Sequence, residues 1–155
     1  MHIVDIIAPA RVVKSAQVGS KKRALELLSE LLAGSDPELG QSEVFSCLLA
    51  REKLGSTGLG HGVALPHGRL AGCRRPCGAL VTLAEPIDFD AIDGQPVDLL
   101  FSMVVPEEST EEHLQLLSQL AEMFSDPAFC ARLRQGSQDD LLLLLTDWGS
   151  HQAGP

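Results

Sequence analysis

A chain of 155 residues with 45% apolar content and a formal net charge of −9 carries enough apolar material for one substantial core and too little length for two. The charge argues against a nucleic-acid partner, since phosphate-backbone binding needs clustered cations and only Lys21-Lys22-Arg23 and Arg74-Arg75 gather any. The longest apolar run, Leu141–Leu145, is far short of a membrane span, and Met1–Ala10 lacks an export signal's basic start and long apolar core, so a cytoplasmic protein without direct membrane insertion is expected.

Taken in chain order, Ile3–Ile7 reads as a short apolar element closed by Pro9, and Arg11–Val13 as an edge strand. Ser20 is a good N-cap for a helix through Ala33, with Leu25, Leu28 and Leu32 on one face and Gly34 as stop signal. Lys21-Lys22-Arg23 opposes that helix's dipole, at a cost of a few tenths of a kcal/mol, so these charges are either simply solvated or serve a contact, and solvation is expected. Beyond Ser35-Asp36-Pro37 a second helix covers Ser42–Arg51, where Val44, Phe45, Leu48 and Leu49 fall at helical spacing. A glycine-rich loop then leads to a short buried strand at Val63–Leu65, a Pro66-His67-Gly68 turn and a strand at Gly78–Leu83. The connection Glu85–Pro96 returns the chain to Val97–Val105, the most continuous apolar strand and hence a central one. Ser109 or Thr110 starts a helix to about Phe124, Ser109-x-x-Glu112 fitting a capping box. Shorter helices follow Asp126-Pro127 and run from Ser137 or Gln138 through Thr146, with a frayed tail from Gly149. This order predicts a single α+β domain whose sheet is covered on both faces. The four cysteines (Cys47, Cys73, Cys77, Cys130) are expected as free thiols.

The stretch Gly55–Arg69 looks built to present one histidine. Its five glycines permit close backbone approach and positive φ, Pro66 stiffens the chain before the ring, and Gly68 leaves room for a bulky group, expected to be phosphoryl. His67, His113 and Arg51 each stand where chain geometry changes: a glycine turn, a helix start and a helix end. A neutral imidazole is a competent nucleophile toward phosphorus, a helix N-terminus accommodates anions, and arginine offers forked donors to phosphate oxygens, with no metal or cofactor required. Ser56, Thr57 and the Gly58–Gly62 amides form a candidate anion nest, with loop capping as the alternative for the two hydroxyls. A rival reading places a metal at His61, His67 and Cys73 or Cys77, but Cys73-x-x-x-Cys77 lacks a second paired set at zinc spacing. A third makes the chain a binding module in which His67 is structural.

Several segments together resemble the IIA domains of the phosphoenolpyruvate-dependent sugar phosphotransferase system, fructose/mannitol type, and most closely the nitrogen-regulatory IIA group. They are Ser20–Leu28, Arg51–Gly60, Val63–Gly68, Phe89–Phe101 and His113-Leu114, within a likeness covering residues 3 to 147. The resemblance implies a three-layer α/β/α sandwich with a mixed β-sheet flanked by helices over residues 1–147, followed by a flexible tail at 148–155. It also implies a phosphotransferase activity in which His67 accepts phosphoryl from a small HPr-like phosphocarrier protein. His113 then lies beside His67, and Arg51 lies near the same pocket. Regulatory protein targets, transporters or sensor kinases in nitrogen- or ion-related control, are the expected readers of the phosphorylation state. The alternative is a sugar-transport IIA passing phosphoryl to a separate IIB; no IIB-like or membrane IIC-like segment is present in this chain, and regulation is expected. The chain departs from the pattern at His61 and Gly94, where asparagine is common; glycine and asparagine both tolerate the left-handed conformation a turn needs at 94, while His61 either brings a second titrating ring near the site or sits in solvent, and solvent is expected.

Overall fold

The computed structural model describes the backbone of residues 1–153, with side chains as far as 148. Two 3₁₀ turns, Ile3–Ile6 and Pro9–Arg11, precede strand β1, Val12–Ala16. Helix α1, Lys21–Ala33, starts where the Ser20 hydroxyl accepts the Arg23 N–H at 3.2 Å. Helix α2 covers Gln41–Lys53. Short strands β2 (Gly58–Gly60), β3 (Val63–Ala64) and β4 (His67–Leu70) lead to the long strands β5 (Cys77–Ile87) and β6 (Val97–Pro106). Helices α3 (Thr110–Phe124), α4 (Pro127–Gln135) and α5 (Gln138–Ala153) complete the chain, and Asp126 caps α4 through the Ala128 and Phe129 amides.

The strands form one mixed sheet in the order β1-β5-β6-β3-β2, with β4 also beside β6. β5 and β6 run antiparallel, β1 is parallel to β5, and β3 and β4 are both parallel to β6. The apolar run of β6 is buried on both faces, which is why its sequence is continuous rather than alternating. Leu99, Phe101, Met103 and Val105 pack with Leu116, Leu120 and Met123 of α3, Phe129 and Leu133 of α4, and Leu141 and Leu145 of α5. Leu100 and Val104 join Ala79 and Val81 of β5 against Leu25, Leu28 and Leu32 of α1 and Val44 and Leu48 of α2. Helices thus cover both faces, the three-layer α/β/α arrangement expected.

Six local expectations are corrected. The first apolar segment is a 3₁₀ turn, closed by the Asp5 carboxylate accepting from the His2 N–H at 2.8 Å, and the edge strand lies at Val12–Ala16. His67 belongs to a strand rather than a turn, because β6 supplies a parallel partner that pairs His67 with Met103. β5 continues to Ile87, so the long connection begins at Asp88. The Ser109 side chain makes no capping bond; the α3 entry is closed by backbone bonds from Thr110 N to Glu108 O and from His113 N to Ser109 O. α5 extends past Thr146 to Ala153, while residues 154 and 155 of the expected 148–155 tail lie outside the described residues.

Candidate active site

Parallel pairing along β6 sets the position of His67, and the exit of the same strand sets that of His113. β6 ends at Pro106, the chain turns through Ser109, and the first turn of α3 delivers His113 back over β4. The two rings stand edge to face, with centroids 5.4 Å apart and planes at 67°.

Pro66 interrupts the line from β3 to β4, and Leu65 O accepts from His67 Nδ1 at 2.6 Å. A carbonyl oxygen can only accept, so in the neutral ring Nδ1 carries the proton and Nε2 carries the lone pair. Burial lowers the His67 pKa, opposed by the Leu65 bond; the Arg51 charge lowers it further and the Glu52 charge raises it. Burial also pushes His113 down, to about 4, helped by His67 and Arg69. Both imidazoles are therefore neutral at pH 7. Among the described residues His113 Nε2 is buried without a hydrogen-bond partner, a state that costs free energy until an oxygen or N–H meets it.

Two guanidiniums frame the pair. Arg51, in the last turn of α2, donates from Nη1 to Gly55 O at 2.8 Å, which ties it to the start of the glycine loop. Arg69, two residues beyond His67 on β4 and so on the same side of the strand, donates to Thr110 Oγ1 at 3.0 Å. Sequence reading missed Arg69: its spacing from His67 carries information only on a strand, and Pro-His-Gly reads as a turn.

The remaining residues nominated from sequence hold the loop itself. Ser56 Oγ donates to Phe89 O at 2.8 Å and accepts from Gly58 N at 3.0 Å. Thr57 donates through both its amide and its hydroxyl to the Glu52 carboxylate, with a very short bond from Oγ1 to Oε2. Glu52 is buried and pairs with Lys21 Nζ at 3.1 Å, and Lys21 also sits 4.7 Å over the Phe89 ring. Lys21 thus serves a contact rather than sitting in solvent as expected, because buried Glu52 offers it a partner and clamps α1 and α2 to the loop. Gly68 is a packing glycine: a Cβ there would stand 2.5 Å from Cys47 Sγ on α2. Ser56 and Thr57 thus make loop-capping contacts and Gly68 a close-packing one. His61 is exposed at φ 56°, its N–H held by Asp93 Oδ2 at 2.9 Å and its carbonyl by Arg134 at 2.8 Å, while Gly94 has φ 72°. Among the described residues no group of three or more His, Cys, Asp or Glu could hold a metal ion, and Cys47, Cys73, Cys77 and Cys130 are all free.

A family model described as phosphoenolpyruvate-dependent sugar phosphotransferase system, EIIA 2, matches residues 5–148. The chain belongs to the EIIA 2 family. A nitrogen regulatory protein of Pseudomonas aeruginosa is 47% identical over 142 residues, 92% of each chain. One from Escherichia coli is 49% identical over 130 residues, covering 83% of this chain and 79% of its own. The crystal structure of nitrogen regulatory protein IIA-Ntr from Neisseria meningitidis superposes with a TM-score of 0.87 at 46% identity, covering 92% of this chain and 98% of that one. The same fold recurs in Escherichia coli IIA mannitol at 22% identity and a TM-score of 0.75, covering 90% of this chain and 98% of that one. In this EIIA 2 chain no helix among the described residues is long and apolar enough to cross a membrane.

Proposed function

We propose that the protein is a phosphohistidine carrier of the regulatory kind: His67 Nε2 accepts a phosphoryl group from an HPr-like phosphocarrier, and the phosphorylation state sets binding to regulatory protein targets in nitrogen- or ion-related control. The observation that carries this reading is the neutral His67, fixed as Nδ1–H by Leu65 O, beside a His113 whose buried Nε2 has no partner. In the transfer, the Nε2 lone pair attacks phosphorus in line as the donor's P–N bond breaks, its electron pair returning to the donor ring. The Nδ1–H···O bond to Leu65 steadies the positive charge that grows on the His67 ring. His113 donates from Nε2 to a phosphoryl oxygen, and Arg51 and Arg69 offset the developing negative charge. Relatives named nitrogen regulatory protein, at 47 and 49% identity, favour regulation. The transport-type 2-O-alpha-mannosyl-D-glycerate-specific EIIABC component of Escherichia coli matches at 33%, and the chain spans 21% of its length.

The test is intact-protein mass spectrometry under alkaline conditions after incubation with phosphoenolpyruvate, enzyme I and an HPr-like carrier. An acid-labile phosphoryl mass gain is expected for the wild type and none for His67→Ala. Labelling of the His67→Ala protein, or none of the wild type with an authentic donor pair, would overturn the assignment. Rapid discharge to a separate IIB would move the protein to the transport class.

A further inference from the structure

The last turn of α2 grips the glycine loop at two points. Arg51 Nη1 donates to Gly55 O at 2.8 Å, and the buried Glu52 carboxylate takes both the amide and the hydroxyl of Thr57. We propose that Glu52 is a positioning residue for His67, acting through Thr57 and Leu65 to set the tautomer and orientation of the imidazole.

A short series of contacts joins the two side chains. Lys21 Nζ on α1 holds the Glu52 carboxylate at 3.1 Å, and the carboxylate holds Thr57. Thr57 O accepts the Leu65 N–H at 3.0 Å, and Leu65 O accepts from His67 Nδ1 at 2.6 Å. Leu65 and Pro66 fall between the residues of β3 and of β4 that pair with β6, so the Leu65 N–H turns to the loop instead of the sheet. The loop, through Thr57, therefore aims the carbonyl that holds the ring, while Pro66 O, accepting from Met103 N at 3.1 Å, fixes the far end of the span. If that carbonyl swings away, the proton is free to move from Nδ1 to Nε2, which removes the lone pair that attacks phosphorus.

A buried carboxylate with its ammonium contributes little net stability once desolvation is counted, so support of the fold does not by itself account for a charge at this place. The Glu52 charge favours a proton on His67, whereas that of its neighbour Arg51 opposes one. Positive charge growing on the ring during attack is therefore met by Glu52, and negative charge on the phosphoryl oxygens by Arg51. The other titratable groups around the ring are Arg69 on β4, His113 from α3, and Cys47 of α2, whose thiol burial pushes up and keeps uncharged.

The effect on transfer rests on the phosphocarrier reading and the state of the ring does not, so the two are measured separately. In the unmodified protein, NMR of the imidazole nitrogens is expected to show His67 as the Nδ1–H tautomer. In Glu52→Gln, which keeps the shape and drops the charge, the Nε2–H form is expected to gain population and the His67 pKa to fall further. Mere loosening of the fold would do the opposite, since water reaching the ring relieves burial and returns the pKa toward 6.5. Rapid-quench labelling of Glu52→Gln by an HPr-like carrier is expected to show a maximal rate lowered roughly ten- to a hundredfold at an unchanged half-saturating carrier concentration, because Glu52 is buried and orients the ring without touching the carrier. Thr57→Val, which removes the hydroxyl link alone, is expected to shift the tautomer the same way, and it decides the matter if Glu52→Gln does not fold. A tautomer unchanged in the folded variant, a His67 pKa that rises in Glu52→Gln, or a loss confined to the half-saturating concentration would overturn the proposal. A wild type that takes no phosphoryl while its ring responds to Glu52→Gln as described would overturn the phosphocarrier reading and uphold the role of Glu52.

Discussion

His67 and His113 are held neutral by burial, and the sign of that effect fixes how the protein responds to acid. An unfolded imidazole titrates near 6.5 and folded His113 near 4, so between those values the unfolded chain binds more protons. The His113 contribution to stability is therefore complete above about pH 6.5 and is lost as the pH falls toward 4. Thermal unfolding from pH 7 to pH 4 is expected to show a shallower loss for His113→Gln than for the wild type; identical slopes would mean that His113 is not desolvated. In the transfer reaction, His113→Ala is expected to slow phosphorylation by roughly a hundred- to a thousandfold while leaving His67 labelled, the scale of one oxyanion donor. Rapid-quench labelling reads this directly. A burial-weakened base is also a better leaving group, so under the proposed function the same desolvation that keeps His67 unprotonated would ease departure of a phosphoryl group from it.

At the scale of elements, the contact between β4 and α2 depends on one missing side chain. A methyl at position 68 would meet Cys47 Sγ at 2.5 Å, so Gly68→Ala is expected to destabilise the protein by about 1 to 3 kcal/mol, the cost of overpacking. Adding Cys47→Ala removes the opposing sulfur and is expected to restore most of the loss; urea denaturation of the two single variants and the double variant reads the coupling, and additive losses would place the strain elsewhere. Much of the architecture was legible in sequence. Ser20 and Asp126 as helix caps, the helical spacing of leucines in α1 and the unbroken apolar run of β6 are local patterns with local causes. β4 was hidden because its strand character comes from pairing with β6, more than thirty residues away, while Pro66, His67 and Gly68 by themselves suit a turn. The same misreading hid Arg69. Ser56 and Thr57 were open between nest and cap because nothing local reveals that Phe89 O and Glu52 receive their hydroxyls. The meeting of His67 with His113 likewise rests on long-range pairing; only the family resemblance carried it in advance.

Across the whole molecule, β6 ties the site to the core. It pairs with β5 along one edge and with β3 and β4 along the other, its side chains reach both helical layers, and its end leads directly to His113. Segments with this many buried partners open last, so their amides exchange with solvent only through the largest unfolding events. The two histidines are therefore anchored to the least yielding part of the chain. Hydrogen–deuterium exchange of free and phosphorylated protein is expected to differ only around Leu65–Leu70 and the start of α3; widespread change would demonstrate a remodelled fold. A rigid frame of this kind gives a partner one shape in both states. Under the proposed phosphorylation, what the partner would read is the arrival of two negative charges at a fixed spot, so discrimination would lie in the partner's own complement of charge and the signal would travel no further through this protein than the rim of the site.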